Sequence, residues 1–252
     1  MSLSVLILAK NEEKNIGDCI RSAQFADEVV VIDDFSTDNT VKIAKELGAI
    51  IYQRPLAGDW GAQQTFAIEQ ACTKWIFFLD ADERITPELA QEIRQKVVLD
   101  KQVAYQIPRL NHAMGKPLHH GGWYPDHVVR LTPQKNVRVE GLVHPYFVYS
   151  YPLEKLKSDI IHYTYYSWEQ YFNKLNLYTK LAAEKNQQKG KKSWFVADIM
   201  FRPWWAFFKM YIIQSGWRDG KIGFILAVFH FFYTMAKYVK LYDIQNQPED
   251  IT

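Results

Sequence analysis

Only two cysteines, Cys19 and Cys72, occur in 252 residues. Two thiols make neither a disulfide framework nor a cysteine zinc site, and the scarcity suits a reducing compartment. An excess of one charge is also missing. Lys and Arg number 30 against 28 Asp and Glu, a net of +2, so no global basic field calls for nucleic acid. The start, Met1-Ser2-Leu3-Ser4-Val5, lacks the basic stretch, apolar core and small-residue cleavage site of a signal peptide, which leads us to expect a cytosol-facing protein. No Gly-x-Gly-x-x-Gly follows the first apolar run and no Gly-Lys-Ser/Thr occurs, so neither a dinucleotide fold nor a P-loop enzyme is supported. Long apolar runs are scarce too. Ile222 to Ala236, broken only by His230 and Thr234, is fifteen residues, about 22 Å as a helix against roughly 30 Å of hydrocarbon core. A single transmembrane span is not expected from it.

What is present centres on Trp75-Ile76-Phe77-Phe78-Leu79, an aromatic-rich run that reads as a strand buried on both faces. Asp80-Ala81-Asp82-Glu83 follows at once. In an extended segment residues two apart point the same way, so Asp80 and Asp82 can converge. Converging carboxylates raise each other's pKa unless a cation neutralises them. At a strand mouth the fitting cation is Mg or Mn, with hard oxygen ligands. The competing reading is a solvated acidic turn ahead of the helix start Thr86-Pro87-Glu88.

Upstream, strand-like and helix-like segments alternate. Leu3 to Ala9 precedes helically spaced Ile16, Cys19, Ile20 and Ala23. Val29 to Ile32 ends at Asp33-Asp34 before a helix carrying Val41, Ile43, Ala44 and Leu47, which stops at Gly48. Ala49 to Tyr52 then precedes a helix from near Gly61 to about Cys72. The alternation predicts an open, largely parallel sheet covered by helices. Ligands of such sheets bind beyond the carboxyl ends of the strands, where Asn11, Asp33, Asp34, Asp80 and Asp82 all fall. Acids beside a phosphate ligand require a bridging metal, and a carboxylate can also accept from a pyrimidine N–H.

The order Ile7-Leu8-Ala9-Lys10-Asn11-Glu12, Val31-Ile32-Asp33-Asp34-Phe35-Ser36-Thr37-Asp38 and Phe78-Leu79-Asp80-Ala81-Asp82-Glu83 resembles the family-2, GT-A-fold glycosyltransferases over roughly the first half of the chain. The resemblance implies an α/β fold: a Rossmann-like mixed sheet of the nucleotide-diphospho-sugar transferase kind, flanked by helices. It implies a UDP-sugar donor whose base and ribose lie against the first two motifs, with Leu8, Ala9, Asn11, Glu12, Asp33 and Asp34 as contacts. Asp80-Ala81-Asp82 is then the DxD element, with Asp82 and Asp80 holding Mg or Mn on the diphosphate. Arg54, Gln63 and Gln64 lie where the family carries donor-contacting Arg and Asn. Asp126-His127-Val128-Val129-Arg130 matches the segment that holds the general base of inverting members, which makes Asp126 the expected base and Glu140 the second candidate. Displacement at an anomeric carbon needs such a carboxylate on the acceptor side, and Arg130 is a candidate cation for the leaving diphosphate. The alternative is an ordinary Asp126–Arg130 salt bridge. His144 sits where the family takes a further metal or diphosphate contact, and His162 reads as a strand residue at the rim.

Asn111 to His127 reads as a shaped loop over the sheet, where an acceptor would bind. A plain surface excursion is the alternative, and adjacent His119 and His120 point apart, against a metal site. Beyond Ser167-Trp168-Glu169 a long helix presents Tyr171, Leu175, Tyr178 and Leu181 on one face. Lys185 to Lys192 reads as a linker, and Trp194 to Ile213 is rich in aromatics. This divides the chain into a catalytic domain over 1–165, an aromatic-rich helical region over 166–245 and a tail over 246–252. The helical region suits a membrane surface; packing on the catalytic domain or on a second subunit is the alternative, and the oligomeric state stays open, a homo-oligomer included. The Asp80 to Glu83, Asp126 to Leu131, Val143-His144 and Gly216 to Gly223 segments are similar to bacterial lipopolysaccharide-core β-1,4-glucosyltransferases. That likeness implies glucose transfer from UDP-glucose to an inner-core heptose, by an enzyme peripheral on the cytoplasmic face of the inner membrane. A polyprenyl-phosphate glycosyltransferase and a non-enzymatic nucleotide-binding scaffold are the rivals.

Overall fold

A computed structural model describes residues 2–142 and 145–246. The chain forms two compact units: Met1–Leu110 with Asp126–His162, and Asn111–Pro125 with Tyr163–Thr252. In chain order the first elements are β1 (Leu3–Ala9), α1 (Ile16–Ala23), β2 (Glu28–Asp33), α2 (Thr40–Glu46), β3 (Ile50–Gln53), α3 (Trp60–Gln70), β4 (Trp75–Asp80), β5 (Glu83–Ile85) and α4 (Pro87–Leu99). There follow β6 (Ala104–Ala113), β7 (Lys116–Pro117), β8 (Asp126–Pro133), β9 (Arg138–Glu140), β10 (Tyr146–Val148), β11 (Leu153–Lys155) and β12 (Ile160–Tyr165). The helices α5 (Trp168–Gln188), α6 (Arg202–Phe208) and α7 (Gly220–Asn246) complete the series.

The main sheet runs β3-β2-β1-β4-β8-β6-β12-β5. The first four strands are parallel, and β8 runs antiparallel to both β4 and β6. The sheet is therefore mixed. Alternate residues of the central strands feed two cores, as period-two geometry requires. Val5, Ile7, Phe77 and Leu79 pack with Ile16, Cys19 and Ile20 of α1 and Leu89, Ile93 and Val97 of α4. Leu6, Ile76 and Phe78 pack with Ala67 and Ile68 of α3. Each of the Val, Leu, Ile and Phe side chains, removed from water, contributes about 1.5–3 kcal/mol. Helix α4 starts where the sequence signals it: Thr86 Oγ1 accepts from the Leu89 N–H at 3.1 Å, and Pro87 takes the first turn.

Register places the strand ends. Ala9 pairs with Asp33, and Leu8 pairs with both Ile32 and Asp80, so β1 sits between the two acidic strand ends at one sheet edge. Strand β8 starts from the same edge, with Asp126 opposite Arg109 of β6.

In the second unit, Ser167 caps α5 by accepting from the Gln170 N–H at 3.1 Å. Four expectations need correction here. The inward stripe of α5 is Tyr171, Leu175, Thr179 and Ala183, four apart, with Leu175 half-buried and the others buried, while Tyr178 and Leu181 are exposed. Lys185 to Gln188 are helical rather than linker, because Lys185, Gln187 and Gln188 are good helix formers that outweigh the single Asn186. The apolar run from Ile222 does not end its helix at Lys237. Lys237 lies over the Tyr238 ring and Lys240 folds onto Asn176 and Thr179, so α7 continues to Asn246. With the turn before it, the 31-residue segment Gly216–Asn246 is long and apolar enough to cross a bilayer by length and composition. The expected loop at Asn111 also differs: β6 runs on to Ala113 and turns back through β7 before the irregular stretch.

Candidate active site

Three acidic strand ends meet different partners at the sheet edge. Asp33, at the end of β2, is fully buried and accepts at Oδ2 from the Ser36 N–H and Gln53 Nε2, both at 3.0 Å. Its Oδ1 is buried with no donor among the described residues. Asp34 accepts from Lys10 Nζ at 2.7 Å and from the Leu56 N–H at 3.0 Å. Lys10 first, then that amide, holds its carboxyl below the usual range. Asn11, at φ 54°, donates its N–H to Ser36 Oγ and accepts at Oδ1 from the Thr37 N–H, which ties the first motif to the second. Glu12 donates its N–H to Thr40 Oγ1. Leu8 is half-buried and Ala9 buried beside them.

Arg54, just past β3, donates Nη1 to Gln63 Oε1 at 2.7 Å and lies over the Phe66 ring. Gln63 returns Nε2 to the Arg54 carbonyl. Arg54 lines a cleft of about 600 Å³ between α3 and β9, shared with Glu140, Arg138 and Leu142. Glu140 is bound there by Arg138 at 2.7 Å and by the Tyr146 hydroxyl.

Asp80-Ala81-Asp82 departs from the extended geometry anticipated for it. The strand ends at Asp80, Ala81 and Asp82 form a turn, and β5 begins at Glu83. The two aspartates take separate partners. Arg130 Nη2 donates to Asp80 Oδ2 and also to Glu83 Oε1 at 2.7 Å, while Glu83 Oε2 accepts the Asp80 N–H at 3.1 Å. Asp82 Oδ2 lies 3.5 Å from His162 Nε2, through the pairing of His162 with Glu83 across β12 and β5. Burial raises the Asp80 carboxyl, but the Arg130 guanidinium more than offsets this and the net is a lowering. For Glu83, which has no exposed surface, burial wins and its pKa is raised despite Arg130. Burial would lower Arg130; Asp80 and Glu83 together raise it instead.

Asp126 does not pair with Arg130. Its Oδ2 accepts from Arg109 Nε at 2.9 Å and also from Arg109 Nη2. Arg130 is buried, with its Nη2 on Asp80 and Glu83. Val143 and His144 lie outside the described residues, and with them the expected third ligand. Arg109, the partnership of Glu83 and the closeness of His162 to Asp82 escaped the sequence reading. The signal for Arg109 was faint, a charge at the end of an apolar strand beside Pro108.

Among the described residues no group of three or more His, Cys, Asp and Glu gathers as a complete metal cage. The donor set nonetheless fits a divalent cation. The Asp80 and Asp82 side chains are 45% and 28% exposed, and Mg-type sites commonly take one or two carboxylates with substrate phosphates and water filling the rest.

Comparison with known proteins gives the family. The profile for glycosyl transferase family 2 matches residues 4–157. An uncharacterized glycosyltransferase of Rickettsia typhi is 30% identical over 99% of this chain and 89% of its own. The lipopolysaccharide core biosynthesis glycosyltransferase LpsC of Rhizobium meliloti is 27% identical over 96% and 92%. Among solved structures, the Staphylococcus aureus TarS fragment 1–349 aligns with a TM-score of 0.49 at 17% identity, over 100% of this chain and 94% of its own. The mixed sheet flanked by helices is the GT-A fold, and the chain belongs to glycosyl transferase family 2.

Proposed function

We propose that the chain transfers a hexose, glucose from UDP-glucose, onto a heptose of the lipopolysaccharide inner core with inversion, Asp126 serving as general base. The observation that carries this reading is the placing of Asp33, Asp80 and Asp126 along one sheet edge by strand register. Asp33, whose Oδ1 has no donor among the described residues, suits the N–H of a uracil. Asp80 and Asp82, with His162 beside Asp82, would hold Mg or Mn, which supplies charge neutralisation for a departing diphosphate. Asp126 takes the proton from the acceptor hydroxyl as its oxygen bonds to the anomeric carbon and the bond to the diphosphate breaks. The similarity to LpsC supports the acceptor class. Asp82→Ala is expected to remove the manganese-dependent part of UDP affinity in calorimetry, leaving the weak affinity seen in chelator; manganese-enhanced binding that survives the change contradicts the assignment.

The enzyme works at the cytoplasmic face of the inner membrane, on a lipid-linked acceptor. Supporting this, Trp194, Phe201, Trp204, Trp205, Phe208 and Trp217 are all exposed. Lys191, Lys192, Arg202, Lys209, Arg218 and Lys221 are interspersed with them, while the acids of the stretch are engaged, Asp198 by Arg202 and Asp219 by His120. Aromatics with flanking cations bind anionic bilayer surfaces. Replacing Trp204, Trp205 and Phe208 by Ser should lower co-sedimentation with phosphatidylglycerol vesicles about tenfold without changing UDP affinity. An unchanged bound fraction would point to a protein partner for this surface.

A polyprenyl-phosphate acceptor is the second reading, favoured by the length and apolar character of α7. Turnover on dolichol-type phosphate but not on a heptose-containing lipid would select it.

A further inference from the structure

Glu83 and Arg109 have no part in the chemistry described above, yet they join its two ends. Charges alternate along Asp80, Arg130, Glu83, Arg109 and Asp126. Glu83 Oε1 receives Arg130 Nη2 at 2.7 Å and lies 3.5 Å from Arg109 Nη1. Its Oε2 is held by the Asp80 amide. A buried carboxylate fixed on both oxygens is an anchor; its charge lets two guanidinium groups stand side by side. From that anchor Arg109 reaches Asp126, its register partner at the first residue of β8.

We infer that Arg109 is the positioning residue for Asp126, with Glu83 acting through it. The inference rests on the reading of Asp126 as base. Asp126 is 39% exposed, and a carboxylate that exposed at a strand end turns freely unless tethered. Arg109 places two N–H groups on the same oxygen, Oδ2, and leaves Oδ1 without a donor among the described residues. One oxygen is pinned and the other is left to take a proton. An isolated surface ion pair would have little effect; the difference here is the buried carboxylate behind the guanidinium. The forked donor geometry is specific to arginine, since a lysine offers one point charge.

The test uses UDP-glucose with a heptose-terminated lipopolysaccharide core for kcat, and UDP with manganese for the dissociation constant. Arg109→Gln should lower kcat about 100-fold, the scale of a misplaced reacting group, with the UDP constant within about twofold. Arg109→Lys should recover kcat to within about tenfold of the parent, short of full rescue. Arg109→Gln with kcat within about twofold of the parent overturns the inference, and so does a loss of UDP affinity in parallel with kcat. If Arg109→Gln does not fold, Arg109→Lys decides: the parent rate overturns the inference, and a reduced rate with parental UDP affinity supports it. Asp126→Asn separates the two readings. An active Asp126→Asn defeats the base assignment itself, whereas an inactive one beside an unimpaired Arg109→Gln defeats only the role of Arg109.

Discussion

Asp126→Asn is expected to lower kcat by about 10²–10⁴-fold, the range contributed by a positioned general base, while the dissociation constant for UDP stays at the parental value. The asparagine amide is close to isosteric and can still accept from Arg109 through its oxygen, so the sheet edge keeps its geometry. What it loses is the capacity to take a proton from an attacking hydroxyl. Asp126 belongs to β8, on the far side of β4 from Asp33 and Asp34, and its polar contacts are with Arg109 alone among the described residues. Nothing in that set touches the end of β2, where we propose that the nucleotide base lies. Stopped transfer with parental UDP binding therefore assigns Asp126 to the acceptor side. If transfer and UDP affinity fell together, Asp126 would belong to the donor site, and Glu140, in its cleft with Arg54, would become the base to test.

The second large effect is on stability. Arg130→Met should destabilise the fold by about 3–5 kcal/mol, the usual cost of removing one partner from a buried ion pair. Arg130 is almost wholly buried and serves two carboxylates, one of them Glu83 with no exposed surface. Without the guanidinium, the ion pair that remains to Glu83 among the described residues is Arg109 at 3.5 Å. Adding Glu83→Gln to Arg130→Met should restore part of the loss, because a neutral amide needs no counter-charge. Urea midpoints of the parent, the single variants and the double variant measure this. A loss below about 1 kcal/mol for Arg130→Met would mean that the cluster is solvated like a surface pair.

The first four strands were legible because each is a short apolar run ended by a polar or acidic turn, and periodicity of that kind depends only on local chain geometry. Their parallel order followed from the helices between them. The acidic edge was legible for the same reason, since Asp33 and Asp80 terminate their strands. The pairing of side chains was not. Asp126 and Arg130 lie four apart in sequence and suggest a pair, but in a strand such residues are well separated. The partner of Asp126 is instead opposite it on β6, 17 residues upstream. His162 meets Asp82 only because β12 lies beside β5 at the end of the sheet, a long-range pairing that no local pattern encodes. The length of α7 was hidden by a related difficulty. Lys237 and Lys240 look like the end of an apolar run, yet their ammonium groups find an aromatic face and backbone oxygen on the packed helices.

The unifying idea is that the acids capping neighbouring strands are two halves of one nucleotide-sugar seat, one for the base and one for the cation. A crystal structure of the chain soaked with UDP and manganese addresses it most directly. The account predicts an ion bound by Asp82 or Asp80 and a uracil N–H on Asp33. UDP seated elsewhere, or an ion bound with neither aspartate as a ligand, would contradict it.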